Sequence, residues 1–177
     1  MLNKETIYLG GGCFWCIETI FNQVNGVYEV TSGYMGGKKE KANYKDVCTG
    51  NTGHAEVVKI VYDNNTIDLS NILEIFFHIH DPTSLNRQGN DIGTQYRSVI
   101  FYSSEDQLKK TNEIVLKLKD KFKNKIVTEI NKLMEFFEAE DYHADYYNLN
   151  KNQPYCNFVI SPKISSFKKH FKNYLKG

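Results

Sequence analysis

The strongest constraint on the fold comes from residues 6–24, where a strand pattern and a helix pattern meet at a cysteine. Residues 6–9 form a short apolar segment that predicts a β-strand. Beyond the cysteine, the apolar side chains recur at helical spacing on one face: Ile17, Ile20, Phe21 and Val24. The intervening run is Gly-Gly-Cys-Phe-Trp-Cys at residues 11–16. The sequence therefore predicts that Cys13 lies where a strand turns into the first turn of a helix.

This position predicts a reactive sulfur. Unpaired N–H groups and the positive end of the helix dipole stabilise an anion at a helix start, so we expect the pKa of the Cys13 thiol to be lowered. The neighbouring glycines allow backbone or substrate to approach the sulfur closely. Phe14 and Trp15 are residue types that usually pack in a core, but beside a cysteine in one tight turn they indicate an apolar pocket. A purely structural role is the alternative for Cys13.

Length and composition limit the class of protein. At 177 residues the chain is expected to form a single domain over 1–177 with a sizeable core. A net charge of +1 gives no reason to expect a nucleic-acid or anionic-membrane partner. The N-terminus lacks the pattern of a secretory signal, and no apolar run is long enough to span a membrane, so we expect a cytoplasmic protein. Four cysteines in a chain of this length indicate redox chemistry, metal binding or burial rather than a secreted disulfide scaffold.

Strand and helix patterns alternate irregularly along the rest of the chain, which indicates an α+β fold. Strands are predicted at 27–34, 54–62, 98–102, 127–130 and 135–137. Helices are predicted after a cap at Asp68 or Ser70 and ending by Pro82, after a cap at Ser103 or Ser104 and running to Phe122, near 142–147, and over 162–175. Residues 83–96 are predicted to form a long functional loop. The lysines of residues 109–125 could form a nucleic-acid face, but Glu113 and Asp120 are interspersed among them, which favours a solvated helix face.

Several longer motifs, in this order along the chain, resemble those of the peptide methionine sulfoxide reductase A family. They are Gly-Cys-Phe-Trp at 12–15, Ser-Gly-Tyr-Met-Gly-Gly at 32–37, Asn-Tyr-Lys-Asp-Val-Cys at 43–48, Gly-His-Ala-Glu at 53–56, His-Asp-Pro at 80–82, Gly-Asn-Asp-Ile-Gly-Thr-Gln-Tyr-Arg-Ser at 89–98 and Ala-Glu-Asp-Tyr-His at 139–143. The resemblance extends from about residue 5 to 165.

The resemblance implies a reaction and a fold. Family members reduce the S epimer of methionine sulfoxide, free or in proteins, to methionine, which repairs oxidised proteins. They share a ferredoxin-like mixed β-sheet with flanking helices, use no metal or flavin cofactor, and are usually recycled by thioredoxin. A monomer is expected here, because no long apolar seam stands out in the sequence.

The resemblance also assigns roles to residues. Cys13 matches the nucleophile, and Glu56 matches the acid that protonates the sulfoxide oxygen, which requires a buried carboxyl with a raised pKa. The remaining matches hold the substrate: Tyr44 and Tyr96 at the sulfoxide oxygen, Asp91 on the polar side of the pocket, and Phe14 and Trp15 around the S-methyl group. His54 is interpreted as a structural partner near Glu56 rather than a base.

The thiol that resolves the Cys13 sulfenic acid is left open by the sequence. Cys156 matches the family's C-terminal recycling cysteine and is preferred, while Cys16 has the C-x-x-C spacing that supports redox disulfides. A relay from Cys13 through Cys16 to Cys156 is a further alternative. Cys48 is predicted to be buried and inert.

Two other functions compete with this interpretation. A general thiol–disulfide oxidoreductase would use Cys13 and Cys16, but it leaves the motifs at 53–56 and 89–98 unexplained. A metal-binding module could draw on His78, His80 and Asp81. However, residues two apart on a helix lie about 200° apart around its axis, so the two histidines would not converge there.

Overall fold

The computed structural model describes all 177 residues, and a six-stranded mixed β-sheet forms the centre of the fold. The strands of this sheet are β1 (Lys4–Gly10), β2 (Val27–Met35), β3 (Ala55–Asp63), β6 (Val99–Tyr102), β7 (Glu129–Lys132) and β8 (Phe137–Glu138). A separate two-stranded hairpin pairs β4 (Arg87–Gln88) with β5 (Asp91–Ile92). The helices are α1 (Phe14–Phe21), α2 (Tyr44–Val47), α3 (Leu69–Ile79), α4 (Glu105–Leu118), α5 (Tyr146–Leu149) and α6 (Ser161–His170).

Strand order determines which loops meet at the site. The order across the sheet is β7-β6-β1-β3-β2-β8, and every pair is antiparallel except β6 with β7. Strand β1 lies between β3 and β6, so the segment that follows β1 lies beside the start of β3 and the turn that precedes β6. Three segments distant in sequence thereby meet at one end of the sheet.

The predicted helices pack an apolar face onto the sheet in one core of 31 buried residues. Helix α1 buries nearly all of its length there, which agrees with the predicted helical spacing. Asp68, rather than Ser70, caps α3, because its side chain accepts a hydrogen bond from the Ser70 N–H. Ser104, rather than Ser103, caps α4 in the same way through the Gln107 N–H.

The structure departs from the sequence prediction after residue 118. Helix α4 ends at Leu118 and continues only as one 3₁₀ turn over Lys119–Lys121. The predicted helix over 162–175 ends at His170, because the chain turns at Phe171 and brings Leu175 into a β-bridge with Val24. The apolar residues of that segment therefore belong partly to helix α6 and partly to the turn and β-bridge that follow it.

The segment before α6 also differs from prediction. The predicted helix near 142–147 is a 3₁₀ turn, Asp141–His143, followed by α5. The two are separated at Asp145, which adopts a left-handed conformation (φ 54°) and donates its N–H to the buried Glu18 carboxylate at 2.9 Å. A π-helical turn over Cys156–Ile160, not predicted from the sequence, leads into α6. None of the helices combines the length and apolar character needed to cross a membrane.

Candidate active site

Cys13 occupies the junction of β1 and α1, as predicted. It has extended backbone dihedrals (φ −63°, ψ 128°) at the N-cap of α1, and its carbonyl accepts the first intrahelical bond from the Cys16 N–H at 3.2 Å. Gly12 precedes it with φ +83°, a conformation that a side chain would strain and that leaves no room for a Cβ against Gln88. The Cys13 side chain is 7% exposed. The cysteine is thus fixed at the start of a helix and mostly shielded from water.

Glu56 is buried beside the same helix start. It lies on β3, is 1% exposed, and accepts the Phe14 N–H of α1 at 3.1 Å through Oε1. Burial raises the pKa of this carboxyl from 4.5 to about 8, while the Phe14 N–H opposes the shift and the Asp91 charge adds to it. The predicted burial is confirmed, and the carboxyl group keeps its proton at neutral pH.

The predicted lowering of the Cys13 pKa is wrong. Burial is the largest influence and raises the pKa of this thiol well above 9.0, and the negative charge of Glu56 raises it further. The Trp15 N–H at the helix start does act in the expected direction and lowers it. Loss of hydration at a buried group shifts a pKa by several units, whereas a short helix contributes about half a charge. The resting site therefore contains a thiol and a carboxylic acid, both protonated.

Two phenol groups lie close enough to Glu56 for its charge to act on them. Tyr44 begins α2, and Tyr96 ends the 3₁₀ turn Thr94–Tyr96; both side chains are half-buried. Burial and the charge of Glu56 raise the pKa of both tyrosines, so both hydroxyls stay protonated and able to donate. The Tyr96 carbonyl also accepts the Gly12 N–H at 3.1 Å, which ties this turn to the cysteine loop.

The turn that carries Tyr96 is fastened to the loop that follows Tyr44. The Thr94 hydroxyl donates to the Gly50 carbonyl at 2.7 Å, and the Gln95 side-chain amide donates to the Cys48 carbonyl at 3.4 Å. Arg97 adds a bond from its guanidinium to the Gly53 carbonyl at 2.9 Å. These three bonds set the separation of the two phenol groups, a role that the sequence motif did not reveal.

Aromatic side chains form the wall next to Cys13. Phe14 is fully buried, and Trp15 is half-buried and stacked on Tyr146 with ring centroids 3.7 Å apart at 8°. The Trp15 indole N–H donates to Nδ1 of the buried His143 at 2.9 Å, so a neutral His143 ring carries its proton on Nε2. The His143 ring centroid lies 4.6 Å from that of Tyr44. His143 ends a motif of the family resemblance, and that was its only sequence signal; Tyr146 had none.

Asp91 on β5 is linked to the site by a hydrogen bond from Tyr155. The Tyr155 hydroxyl donates to Asp91 Oδ2 at 2.5 Å, and the Tyr155 ring meets Trp15 edge-on at 6.0 Å. Both residues also line a cavity of about 1200 Å³ between α3, α4 and α6. Sequence analysis missed Tyr155, whose only signal was its position next to Cys156.

The remaining three cysteines occupy different environments. Cys16 and Cys156 are buried, at 2% and 0% exposure. Cys48 is exposed and lies beside Tyr44, whose hydroxyl hydrogen-bonds to its sulfur, so the prediction that Cys48 is buried is wrong. Cys48 ends up exposed because it follows the last residue of the short helix α2, whose one buried side chain is Val47.

The histidines considered in the sequence have structural partners. His54 is buried, and its ring nitrogens bond to the Gly37 N–H and the Lys38 carbonyl, at 3.1 and 2.9 Å, rather than to Glu56. His80 bonds to the Phe76 carbonyl and the Ser98 hydroxyl, whereas His78 faces Ser166 of α6. The two histidines of the metal hypothesis therefore diverge, as their helical spacing predicted.

Comparisons with known sequences and structures all identify one protein family. The family model described as "Peptide methionine sulfoxide reductase" matches residues 5–175. A protein of Saccharolobus solfataricus named peptide methionine sulfoxide reductase MsrA is 52% identical over 172 residues, 97% of either chain. The crystal structure of reduced Mxr1 from Saccharomyces cerevisiae superposes with a TM-score of 0.80 at 36% identity, covering 86% of this chain and 89% of the yeast chain. Mxr1 in complex with Trx2 also matches, with a TM-score of 0.57 at 26% identity over 80% and 84% of the two chains.

Proposed function

The chain belongs to the peptide methionine sulfoxide reductase family, and from this premise we propose how its own residues reduce methionine sulfoxide. The substrate is methionine-S-sulfoxide, free or in proteins, and thioredoxin restores the enzyme. The complex of the similar yeast protein Mxr1 with Trx2 supports thioredoxin as the reductant.

The observation that carries the proposed mechanism is the protonated Glu56 carboxyl beside Cys13. A sulfoxide sulfur is a poor electrophile until its oxygen is protonated or strongly hydrogen-bonded. The pKa of Glu56, about 8, keeps a proton available at neutral pH within a site shielded from water. Glu56 donates that proton to the sulfoxide oxygen while the Cys13 sulfur attacks the substrate sulfur, and the Cys13 thiol proton passes to the Glu56 carboxylate that this donation leaves.

Tyr44 and Tyr96 act on the same oxygen. Negative charge grows on the sulfoxide oxygen as the sulfur–sulfur bond forms, and two phenol donors stabilise that charge. The raised pKa of both tyrosines supports this role, because an ionised phenol could not donate. Asp91 holds the Tyr155 hydroxyl and orders the polar side of the pocket.

Phe14 and Trp15 receive the S-methyl group on the opposite side. Trp15 is held in one orientation by its bond to His143 and its stacking on Tyr146. An apolar wall for the methyl group and donors for the oxygen, with Cys13 between them, fit one configuration at sulfur. This arrangement gives a physical basis for selecting the S epimer.

Methionine then leaves, and Cys13 remains as a sulfenic acid. A second thiol converts it to a disulfide that thioredoxin reduces. Cys156 is the resolving residue in this proposal, with Cys16 as the alternative, and no metal or other cofactor takes part.

We also propose the type of sheet, the domain organisation, the oligomeric state and the cellular location. The element order β1-α1-β2-β3-α3-β6, with neighbours β6-β1-β3-β2 all antiparallel, supports a ferredoxin-like sheet. One core that draws on α1, the central strands and α6 supports a single catalytic domain over 1–177. A monomer in the cytoplasm, where thiols are kept reduced, suits a thiol enzyme of this kind.

A single-turnover assay tests the reaction. Protein without reductant is mixed with separated S and R epimers of a methionine sulfoxide peptide, and methionine is quantified. Methionine from the S epimer alone supports the proposal. Disulfide exchange on a protein substrate without methionine from either epimer would instead identify a general thiol–disulfide oxidoreductase that uses Cys13 and Cys16.

A further inference from the structure

We propose that Glu18 is a positioning residue for substrate binding: its carboxylate holds the backbone of Asp145, and through it the side chains that keep Trp15 in place. This inference rests on the proposed reduction of methionine sulfoxide and adds a residue that determines how tightly the substrate binds. Glu18 acts through other residues and has no part in the chemical step.

Glu18 is a buried carboxyl group that the mechanism does not use. It lies on α1 and is 5% exposed. Its Oε1 accepts the Asp145 N–H at 2.9 Å, and its Oε2 accepts the hydroxyl of Ser32 on β2 at 3.1 Å. Burial raises the pKa of this carboxyl, and the two donors oppose the shift. A carboxyl group is unfavourable in such a position without hydrogen-bond donors, so these two bonds account for its presence there.

The bond from Glu18 fixes an unusual backbone conformation at Asp145. This residue has φ 54° and ψ 32°, a left-handed conformation that is disfavoured for a residue with a side chain. Asp145 is the N-cap of α5 and separates that helix from the 3₁₀ turn Asp141–His143. The N–H that Glu18 accepts therefore lies at the point where the chain changes direction.

Both contacts that hold Trp15 flank this point. His143 accepts the Trp15 indole N–H at 2.9 Å, and Tyr146 stacks on the indole with ring centroids 3.7 Å apart. Trp15 and Glu18 are three residues apart on α1, a spacing that makes side chains neighbours on a helix. Helix α1 thus holds both rings of the stack, Trp15 directly and Tyr146 through Glu18 and the backbone of Asp145.

The other end of the segment 140–146 is held independently of Glu18. Glu140 accepts the Tyr34 hydroxyl at 2.9 Å and the Tyr44 N–H at 3.0 Å. Loss of the Glu18 carboxylate is therefore expected to release Tyr146 and loosen Trp15, while Tyr44 keeps its position. The effect should fall on the apolar side of the substrate and not on the donors to the sulfoxide oxygen.

The first measurement is the fluorescence of Trp15, which is the single tryptophan of the chain. Glu18→Ala removes the acceptor of the Asp145 N–H, so the indole should lose its stacked neighbour and become more exposed. Its emission should shift to longer wavelength, and acrylamide should quench it more strongly. Glu18→Gln can still accept the Asp145 N–H and can donate to the Ser32 hydroxyl, so it should keep the emission of the unaltered protein.

The second measurement is the single-turnover rate as a function of the concentration of an S-epimer methionine sulfoxide peptide. In Glu18→Ala the half-saturating concentration should rise about tenfold, because the contact with the S-methyl group is weakened. The maximum rate should change by less than about twofold, since the groups that act on sulfur and oxygen are held by other bonds. Glu18→Gln should restore the half-saturating concentration.

A second variant breaks the same bond without altering the core. Asp145→Pro has no N–H and cannot adopt a φ of 54°. Ala144 before it has φ −65° and ψ 127°, which a following proline tolerates. The emission shift and the rise in half-saturating concentration should match those of Glu18→Ala. Asp145→Gly keeps the N–H and adopts a positive φ readily, so it should keep the emission of the unaltered protein.

Glu113→Ala, at an exposed position of α4, is the control for both measurements and should behave like the unaltered protein. Unchanged emission in Glu18→Ala and in Asp145→Pro would overturn the inference. A lower maximum rate at an unchanged half-saturating concentration would overturn it as well, because that result would place Glu18 in the chemical step. The emission needs no substrate, so it is distinct from a failure of the unaltered protein to form methionine, which would refute the proposed function.

Discussion

Replacing Glu56 by glutamine should stabilise the folded protein at pH 7, because the glutamate carboxyl group is buried away from water. The same replacement should slow the first catalytic step, the formation of methionine. The pKa of Glu56 is about 8 in the folded protein, against an ordinary value of 4.5. Between these values the unfolded chain loses the proton while the folded chain keeps it. The unfolded state therefore binds fewer protons, and the free energy of unfolding falls as the pH rises through this range.

The size of the effect follows from the shift. One pKa unit corresponds to about 1.36 kcal/mol, so the unaltered protein should lose roughly 3 kcal/mol of stability between pH 4.5 and pH 7 from this group alone. Above pH 8 both states are ionised and the loss levels off. Glutamine does not titrate, and its side-chain oxygen can still accept the Phe14 N–H. Glu56→Gln should therefore lack this contribution, while its methionine formation should fall by about 10²- to 10⁴-fold with the loss of the acid.

Urea unfolding at pH 4.5 and pH 7, followed by the fluorescence of the single tryptophan, measures the first effect. Single-turnover formation of methionine at pH 7 measures the second. Glu138→Gln, at an exposed position of the same sheet, is the matched control and should change neither. An equal dependence of stability on pH in Glu56→Gln and the unaltered protein would refute the assigned burial effect. An unchanged single-turnover rate would show that the proton comes from another group.

Four further outcomes are expected. Cys13→Ser should abolish methionine formation while circular dichroism remains unchanged, and remaining turnover would remove Cys13 as the nucleophile. Thr94→Val, which loses the bond to the Gly50 carbonyl, should slow the first step about tenfold, and Thr94→Ser should restore it; equal rates would exclude the fastening role. Tyr155→Phe, which removes the hydrogen bond to Asp91, should slow formation of the first methionine several-fold, measured by rapid-quench single turnover. Iodoacetamide should label Cys48 first among the four cysteines, as read by peptide mass spectrometry, and methionine sulfoxide should retard that labelling.

Local sequence determined the element that carries the nucleophile. Four apolar residues at helical spacing after a glycine-rich turn were sufficient to predict a helix starting at Cys13, because both patterns depend on neighbours within a few residues. The burial of Glu56 was predicted by the family resemblance rather than by the alternation around it, and that burial is confirmed. The sequence motifs predicted the family, and the comparisons with known proteins confirm it.

Near the C-terminus, local sequence patterns predicted the secondary structure less accurately. The stripe of residues 162–175 is helical in its spacing, yet the helix ends at His170 because Leu175 pairs with Val24, 151 positions earlier in the chain. The break before α5 depends likewise on Glu18, which lies 127 residues from Asp145. Such partners cannot be read from a short window of sequence.

The electrostatic state of the site was decided by the tertiary structure alone. The helix start by itself predicted a low pKa for Cys13, but the sheet order brings Glu56 to Phe14 across 42 residues and closes the pocket to water. Burial then outweighs the helix dipole and raises the pKa of the thiol. The sequence by itself thus determined which residues are present and which elements carry them, whereas hydration and charge at those residues depend on groups that only the folded chain brings together.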